Sequence, residues 1–389
     1  MKETWRWYGP LDKIDLAEIR QTGAEGIVTA LHEVPYGQVW KRQVISERNN
    51  KIKAAGFKWE VVESLPLHED IKRGSGDLST LFSNYRQSMV NLAAEGIRTI
   101  CYNFMPLLDW TRTDLKSPLA NGGTCLRFSA CRMAAFEICM LKREGAEKDY
   151  PLEVVEKAHK WFMEAKKKDL QNLLNAIMAG LPGAFDRYDV EGLRNALESY
   201  RGMTADDVRA NYQRFLNEVL PTAQELGMRL CVHPDDPPRN ILGLPRIVSN
   251  AKDIDWVMKA FPTQSNGLTL CSGSLGSNPE NNVVEIARRH ANRIYFAHLR
   301  NVCKEPDGSF EEAAHLEGDT NMPALCQLLL DEENTRRRNA RTDWQIPFRP
   351  DHGHELLSDH QKKTFPGYPL IGRLRGLAEI RGILHALSP

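Results

Sequence analysis

Ile346-Pro347-Phe348-Arg349-Pro350-Asp351-His352-Gly353-His354 is the stretch from which the fold is read. An apolar start runs into an acid, two histidines, a glycine and two prolines, which is how a short buried strand ends in a turn. α/β proteins place chemistry at such ends, because the rigid strand aims the side chains and the turn exposes them. A charged loop after a buried strand is also common in its own right, so the reading depends on whether other strands end alike.

They do. Helix, glycine, short β-branched strand and loop recur along the chain, with strands expected at 5–8, 27–31, 59–63, 99–104, 228–233, 267–271, 293–299 and 346–349. The first helix opens near Asp15, where Glu18 three residues on makes an acidic variant of the capping box, and Gly23 ends it. Gly56, Gly96 and Gly227 punctuate later units, and an amphipathic helix over 371–387 closes the chain. Parallel neighbours need a crossover between them, so this alternation predicts a parallel sheet. Eight units make a closed (β/α)₈ barrel the economical architecture, since closure leaves no sheet edge. A doubly wound open sheet is the alternative, weakened by the lack of Gly-x-Gly-x-x-Gly after the first strand.

A plain barrel takes about 250 residues, so roughly 140 are excess here. Most lie in 107–201, which is rich in charge and helical spacing and is expected to contain no strand. Residues 157–179 read as one helix with a basic, solvated face, stopped by Leu181-Pro182-Gly183. The expectation is one barrel domain over 1–389, with 107–201 a helical insertion after the fourth strand that serves as a lid or a subunit contact.

Composition narrows the function classes. Hydrophobic residues make up 42% and charged residues 26%, so there is ample material for a core and no signature of disorder. Lys plus Arg and Asp plus Glu both number 51, so no overall basic field recruits nucleic acid or anionic lipid. A small polar substrate fits better. No apolar signal core opens the chain and no long apolar run interrupts it, so a cytoplasmic location is expected. The eight cysteines include no Cys-x-x-Cys pair, and reduced thiols are the default.

The last four strands end in ligand-type residues. His233 stands at the tip of the fifth, with Asp235, Asp236 and Arg239 beyond; Cys271 at the tip of the sixth; His298 and Arg300 at the seventh; Asp351, His352 and His354 at the eighth. In a barrel these tips lie side by side. His233, Cys271, His298 and Asp351 would then form a two-nitrogen, one-sulfur, one-oxygen set suited to a divalent transition metal. Zinc, iron and manganese all remain open on ligand type, as does a closed structural site. Any one of these residues alone would be ordinary packing. Earlier strands add Arg6 and Trp7, His32, Glu63, His68 and Asn103; His68 and His315 are expected in ordinary loop roles. Arginines with amide and imidazole donors beside a metal suit a small, polyhydroxylated anion, so Arg6, Trp7, His32, Asn103, Asp236, Arg300 and Arg349 are the substrate-binding candidates.

Several longer segments resemble the mannonate dehydratase family over essentially the whole chain. They include Thr-Trp-Arg-Trp-Tyr-Gly at 4–9, Val-Thr-Ala-Leu-His at 28–32, Cys-Tyr-Asn-Phe-Met-Pro at 101–106 and Asp-Trp-Thr-Arg-Thr-Asp-Leu at 109–115. Val-His-Pro-Asp-Asp-Pro-Pro at 232–238, Ile-Leu-Gly-Leu-Pro-Arg-Ile-Val-Ser at 241–249, Arg-Pro-Asp-His-Gly-His at 349–354 and Gly-Arg-Leu-Arg-Gly-Leu-Ala-Glu-Ile-Arg-Gly at 372–382 complete the match. The resemblance implies a xylose-isomerase-like (β/α)₈ barrel using Mn²⁺ or Fe²⁺ to dehydrate D-mannonate to 2-keto-3-deoxy-D-gluconate in hexuronate breakdown. It carries the metal ligands onto His233, Cys271, His298 and Asp351, and the catalytic neighbourhood onto His352 and Tyr368. Cys125, Cys131 and Cys139 match no functional motif. The expected partners are a sugar-acid substrate and further copies of the chain, as a homodimer or larger homo-oligomer.

Removing the proton α to a carboxylate is difficult, so the developing charge must be neutralised by a metal and positive donors. Arg300 or Arg349 is expected at the carboxylate, His352 as general acid or base, Tyr368 as its partner, and Asp351 tying the metal to the eighth strand. His354 keeps a structural role. Three rivals share features of this reading: a metal-dependent sugar isomerase, a non-catalytic sugar-acid binding protein with a structural metal, and an amidohydrolase. The last is disfavoured because its His-x-His opens the first strand, whereas His352-Gly353-His354 closes the eighth.

Overall fold

The computed structural model describes residues 1–180 and 189–387. Its strands are β1 (Lys2–Arg6), β2 (Gly26–Thr29), β3 (Lys58–Glu63), β4 (Thr99–Tyr102), β5 (Asp114–Pro118), β6 (Thr124–Phe128), β7 (Arg229–Val232), β8 (Asn266–Cys271), β9 (Ile294–His298), β10 (Asn301–Lys304), β11 (Phe310–Ala313) and β12 (Pro347–Arg349). Eight of them, β1-β2-β3-β4-β7-β8-β9-β12, close into a parallel barrel. Closure is made by Lys2 opposite Pro347 and Glu3 opposite Phe348. The open-sheet alternative is therefore set aside. Strands buried on both faces read as continuous apolar runs, which is why they were legible.

Local signals behave as their chemistry requires. The Asp15 carboxylate accepts from the Glu18 amide at 2.8 Å, and Glu18 returns the bond to the Asp15 amide at 3.2 Å. Gly56 and Gly227 end helices at φ 80° and 62°, the left-handed region where a Cβ is costly. The first strand ends at Arg6 rather than Tyr8, because the Tyr8 amide donates to the Asp12 carboxylate and Gly9–Leu11 forms a 3₁₀ turn.

Two expectations for 107–201 are corrected. The region contains strands, β5 and β6, which pair antiparallel and join β11 and β10 in a four-stranded sheet ordered β10-β11-β6-β5. The signal was local: Asn121-Gly122 turns the hairpin with Gly122 at φ 85°, between two short runs. The basic helix is also two helices, Leu152–Glu164 and Lys167–Met178, because Ala165 and Lys166 are extended and the Asp169 side chain accepts from the Lys166 amide at 3.0 Å to start the second. The Leu181-Pro182-Gly183 stop lies outside the described residues.

The main core lies between barrel and helices and includes Trp5, Trp7, Trp59, Ile100, Leu230 and Phe348. A smaller cluster of Val28, Val61, Cys101, Cys231, Tyr295 and Phe296 packs separately. All eight cysteines are free. No described helix is long and apolar enough to cross a membrane.

Candidate active site

Strand register brings the sixth, seventh and eighth barrel tips together: Cys271 pairs with His298, and His298 with Arg349. His233 follows β7 directly, its amide bonded to the Tyr102 carbonyl at 2.9 Å. One donor atom from each of His233, Cys271 and His298 lies within 4.8 Å of the other two. His233 Nε2 is 3.1 Å from His298 Nδ1. Asp351 Oδ2 stands 3.8 Å from Cys271 Sγ and 3.9 Å from His298 Nδ1.

The donors are prepared for a cation. His233 Nδ1 lies 2.6 Å from the Pro234 carbonyl, so it carries the proton and leaves the Nε2 lone pair facing the cluster. Burial pushes the His233 pKa down, favouring the neutral ring that a metal needs. The Ser274 amide donates to Cys271 Sγ at 3.4 Å, which fixes the orientation of the sulfur. His298 Nε2 is buried and faces the Glu63 carboxylate at 3.4 Å, while its Nδ1 faces His233 and Asp351. Imidazole, thiolate and carboxylate donors together fit a divalent transition metal. A second cluster, Glu63, Cys101 and His298, shares His298, but its carboxylate is already committed to arginines.

Those arginines form the site's electrostatic frame. Arg349 holds both Glu63 oxygens at 2.6 and 3.0 Å and also grips Asp351, while Arg6 reaches Glu63 at 3.1 Å. Arg300 donates to Asp351 at 2.7 Å, to Asp236 at 2.7 Å and to Glu312 at 2.8 and 3.0 Å. Arg112 bridges Asp236 at 2.8 and 3.1 Å to Glu312 at 2.8 Å. Burial alone would raise these carboxyl pKa values, yet Arg349 at Glu63 and Asp351, Arg112 at Asp236 and Arg300 at Glu312 hold all four below the usual range. Asp351 sits at φ 62°, an uncommon conformation for a residue with a Cβ.

Above the cluster opens a cavity of about 380 Å³. Its wall includes His233, Asp236, Arg349, Asp351, His352 and Tyr368, and from the first half of the barrel Arg6, His32 and Asn103. The ring of His352 lies edge-on to Tyr368 at 5.0 Å, and the Tyr368 hydroxyl is 3.4 Å from Asp351 Oδ1. His32 presents a buried Nε2 with no partner among the described residues.

Two substrate-binding expectations are corrected. Trp7 is 2% exposed, packs in the core under Arg48 and does not line the cavity. Arg300 is also walled off, because its guanidinium is consumed by Asp236, Glu312 and Asp351. Cys271 and His298 lie beneath the cavity wall. His68 caps the helix Glu69–Arg73, His315 is tied to the Pro350 carbonyl at 2.7 Å and His354 to the Glu312 carbonyl at 2.9 Å, all structural roles as expected. The Asp235 carboxylate accepts from the Val248 amide and the Ser249 hydroxyl, and Arg239 reaches the Gly308 carbonyl. Of the insertion cysteines, Cys139 sits 3.6 Å from His159 Nδ1 and Cys125 is buried.

Sequence reasoning missed Arg112, Glu312, Asp109 and Trp110. Glu312 had a faint signal, as the second acid of Phe310-Glu311-Glu312-Ala313, where buried and half-buried residues alternate. Asp109 and Trp110 reach the cavity from the start of the insertion, and Ala179 and Gly180 from its later part.

Comparison with known proteins agrees with this geometry. A family model described as D-mannonate dehydratase (UxuA) matches residues 1–389. A mannonate dehydratase from Chromohalobacter salexigens is 50% identical over 389 residues, covering 100% of this chain and 99% of that protein. One from a Marinomonas species is 47% identical, covering 98% of each. The crystal structure of mannonate dehydratase from Streptococcus suis serotype 2 superposes with a TM-score of 0.76 at 35% identity, over 100% of this chain and 93% of that one. A D-allulose 3-epimerase from a Methylomonas species, 10% identical with a TM-score of 0.52 over 99% and 98% of the two chains, shares the fold alone. By its full-length match to the family model and by relatives about half identical to it, the chain belongs to the D-mannonate dehydratase family of hydro-lyases.

Proposed function

We propose that the chain dehydrates D-mannonate to 2-keto-3-deoxy-D-gluconate and water, with one divalent cation, Mn²⁺ or Fe²⁺, held by His233, Cys271, His298 and Asp351. The observation that carries this reading is the meeting of three donor atoms from consecutive strand ends, with Asp351 under 4 Å from two of them, at the floor of a cavity walled by arginine and histidine. When bound, the cation supplies positive charge beside the substrate carboxylate and lowers the cost of the negative charge that develops there.

The chain's own residues do the rest. Arg6, paired with Glu63, and Arg349, paired with Glu63 and Asp351, both line the cavity, and they orient the carboxylate. His32, neutral and with its Nε2 unbonded among the described residues, and Asn103 bind hydroxyls. His352 moves a proton at Nε2, with the Tyr368 hydroxyl as its partner on the same wall. The C2 proton leaves, the 3-hydroxyl departs as water, and the resulting enol tautomerises to the keto acid. Arg300 fixes the charged frame without touching substrate, while Asp236, on the cavity wall, both joins that frame and faces a substrate hydroxyl.

The whole of 1–389 acts as one barrel domain in this reading, and 107–201 covers the mouth, which is consistent with cavity-lining residues from its start and its later part. The protein works in hexuronate breakdown in the cytoplasm, as a homo-oligomer. A panel of aldonates and aldoses with Mn²⁺ or Fe²⁺ tests the reaction class: a 2-keto-3-deoxy product from D-mannonate and no aldose–ketose exchange are expected, and isomerisation of an aldose would overturn it.

A further inference from the structure

We propose that Glu312, carried by β11 outside the barrel, is a positioning residue that fixes the tautomer and orientation of His352, and that Arg112 from the insertion holds it there. The inference rests on the reading of His352 as the proton-transfer group.

Glu312 Oε1 lies 3.0 Å from His352 Nδ1. An ionised carboxylate only accepts, so Nδ1 must carry a hydrogen, which leaves Nε2, on the other side of the ring and 3.9 Å from Asp351 Oδ1, as the nitrogen that can give or take a proton. The Glu312 carbonyl also accepts from His354 Nε2 at 2.9 Å, so one residue is bonded to both histidines of the eighth strand's tail. Glu312 is 3% exposed and lines no part of the cavity, so it acts through its neighbours and not on substrate, and His352 is the neighbour that lines the cavity.

Its own position is fixed from two sides. Arg300, from the seventh strand's end, donates twice, and Arg112, fully buried, donates once while its fork engages Asp236. β11 pairs with β6 through Phe310 opposite Phe128 and Glu311 opposite Arg127. The insertion thus supplies both the strand that seats Glu312 and the cation that orients it. Its part in the reaction is to brace the proton-transfer histidine as well as to cover the cavity.

Three arms test this. Glu312→Gln, whose amide can turn its NH₂ toward Nδ1 and disfavour the required tautomer, should lower kcat by about a hundredfold, within the range that acid–base groups contribute. KM for D-mannonate and bound manganese should stay within about threefold, since neither contact is lost. Glu312→Asp, which keeps the charge, should recover at least about tenfold of that loss. In the unsubstituted protein, side-chain ¹⁵N NMR should show His352 protonated at Nδ1 and bare at Nε2, a readout that stands even if a variant fails to fold. The inference is overturned by the opposite tautomer, by a Glu312→Gln enzyme with near-normal kcat, or by KM, metal content and kcat declining together. If His352→Asn itself retains near-normal turnover, the reading of His352 fails; if His352→Asn is inactive while Glu312→Gln is unaffected, only the present inference fails.

Discussion

Asp351 shows how much one residue can be asked to do. It offers a carboxylate oxygen to the donor cluster, accepts from Arg300 and Arg349, and adopts a left-handed backbone to reach all three. That it would stand with His233, Cys271 and His298 was legible in the sequence, because each sits at or just past the end of an apolar strand. Trp7 was misread for the same reason: a residue at a strand end is equally able to face the core. Cys271 gives the sharpest test of the donor set, since serine is close to it in volume but is a poor ligand for a soft site. Losing a group that merely orients a ligand costs roughly 10–100-fold in metal affinity, so Cys271→Ser should weaken Mn²⁺ binding by more than about a hundredfold. Metal titration followed by mass spectrometry of bound ions measures it, with the metal-free fold, checked by circular dichroism, left in place.

The closing helix, Leu370–Leu387, is the element that presses the catalytic tail into position. Its start is satisfied by Asp359, whose carboxylate accepts from the amides of Leu370, Ile371 and Gly372 at 2.9–3.0 Å. Gly372 faces the 351–354 segment so closely that a Cβ would lie 1.8 Å from the His354 carbonyl oxygen, and one on Gly376 would lie 2.1 Å from the His315 ring. Backbone cannot yield as a side-chain tip can, so Gly372→Ala should cost at least about 1–3 kcal/mol and shift His352. A fall in denaturant midpoint together with a fall in kcat is the expected result. The sequence announced this helix by its apolar spacing, but not its glycine face. It also hid the sheet that the β5–β6 hairpin joins, because β11, the partner of β6, lies some 180 positions along the chain. The same distance hid the site's frame: Arg112 meets Glu312 across 200 residues, a contact that no local pattern encodes.

Across the molecule, buried charge is balanced by burial and by pairing, and acid should find the places where it is not. His32 is held neutral: burial, aided by Arg6 and Arg48, pushes its pKa down to about 3 from 6.5. The unfolded chain therefore binds a proton there below about 6.5 that the folded chain refuses until about 3, so stability falls as the pH drops through that window and is unaffected above it. Urea denaturation from neutral to acid pH should show a smaller loss for His32→Asn than for the unsubstituted protein; equal slopes would contradict the assignment. The barrel itself was readable because each parallel strand is short, apolar and introduced by a helix stop, and closure followed from the number of units. The mouth was readable only where chemistry coincided with strand ends. The most direct test of the whole account is to incubate the purified chain anaerobically with D-mannonate, with Mn²⁺ and after chelation. It predicts a 2-keto-3-deoxy acid that appears with the metal and disappears without it; no product with any divalent metal, or equal product after chelation, would contradict it.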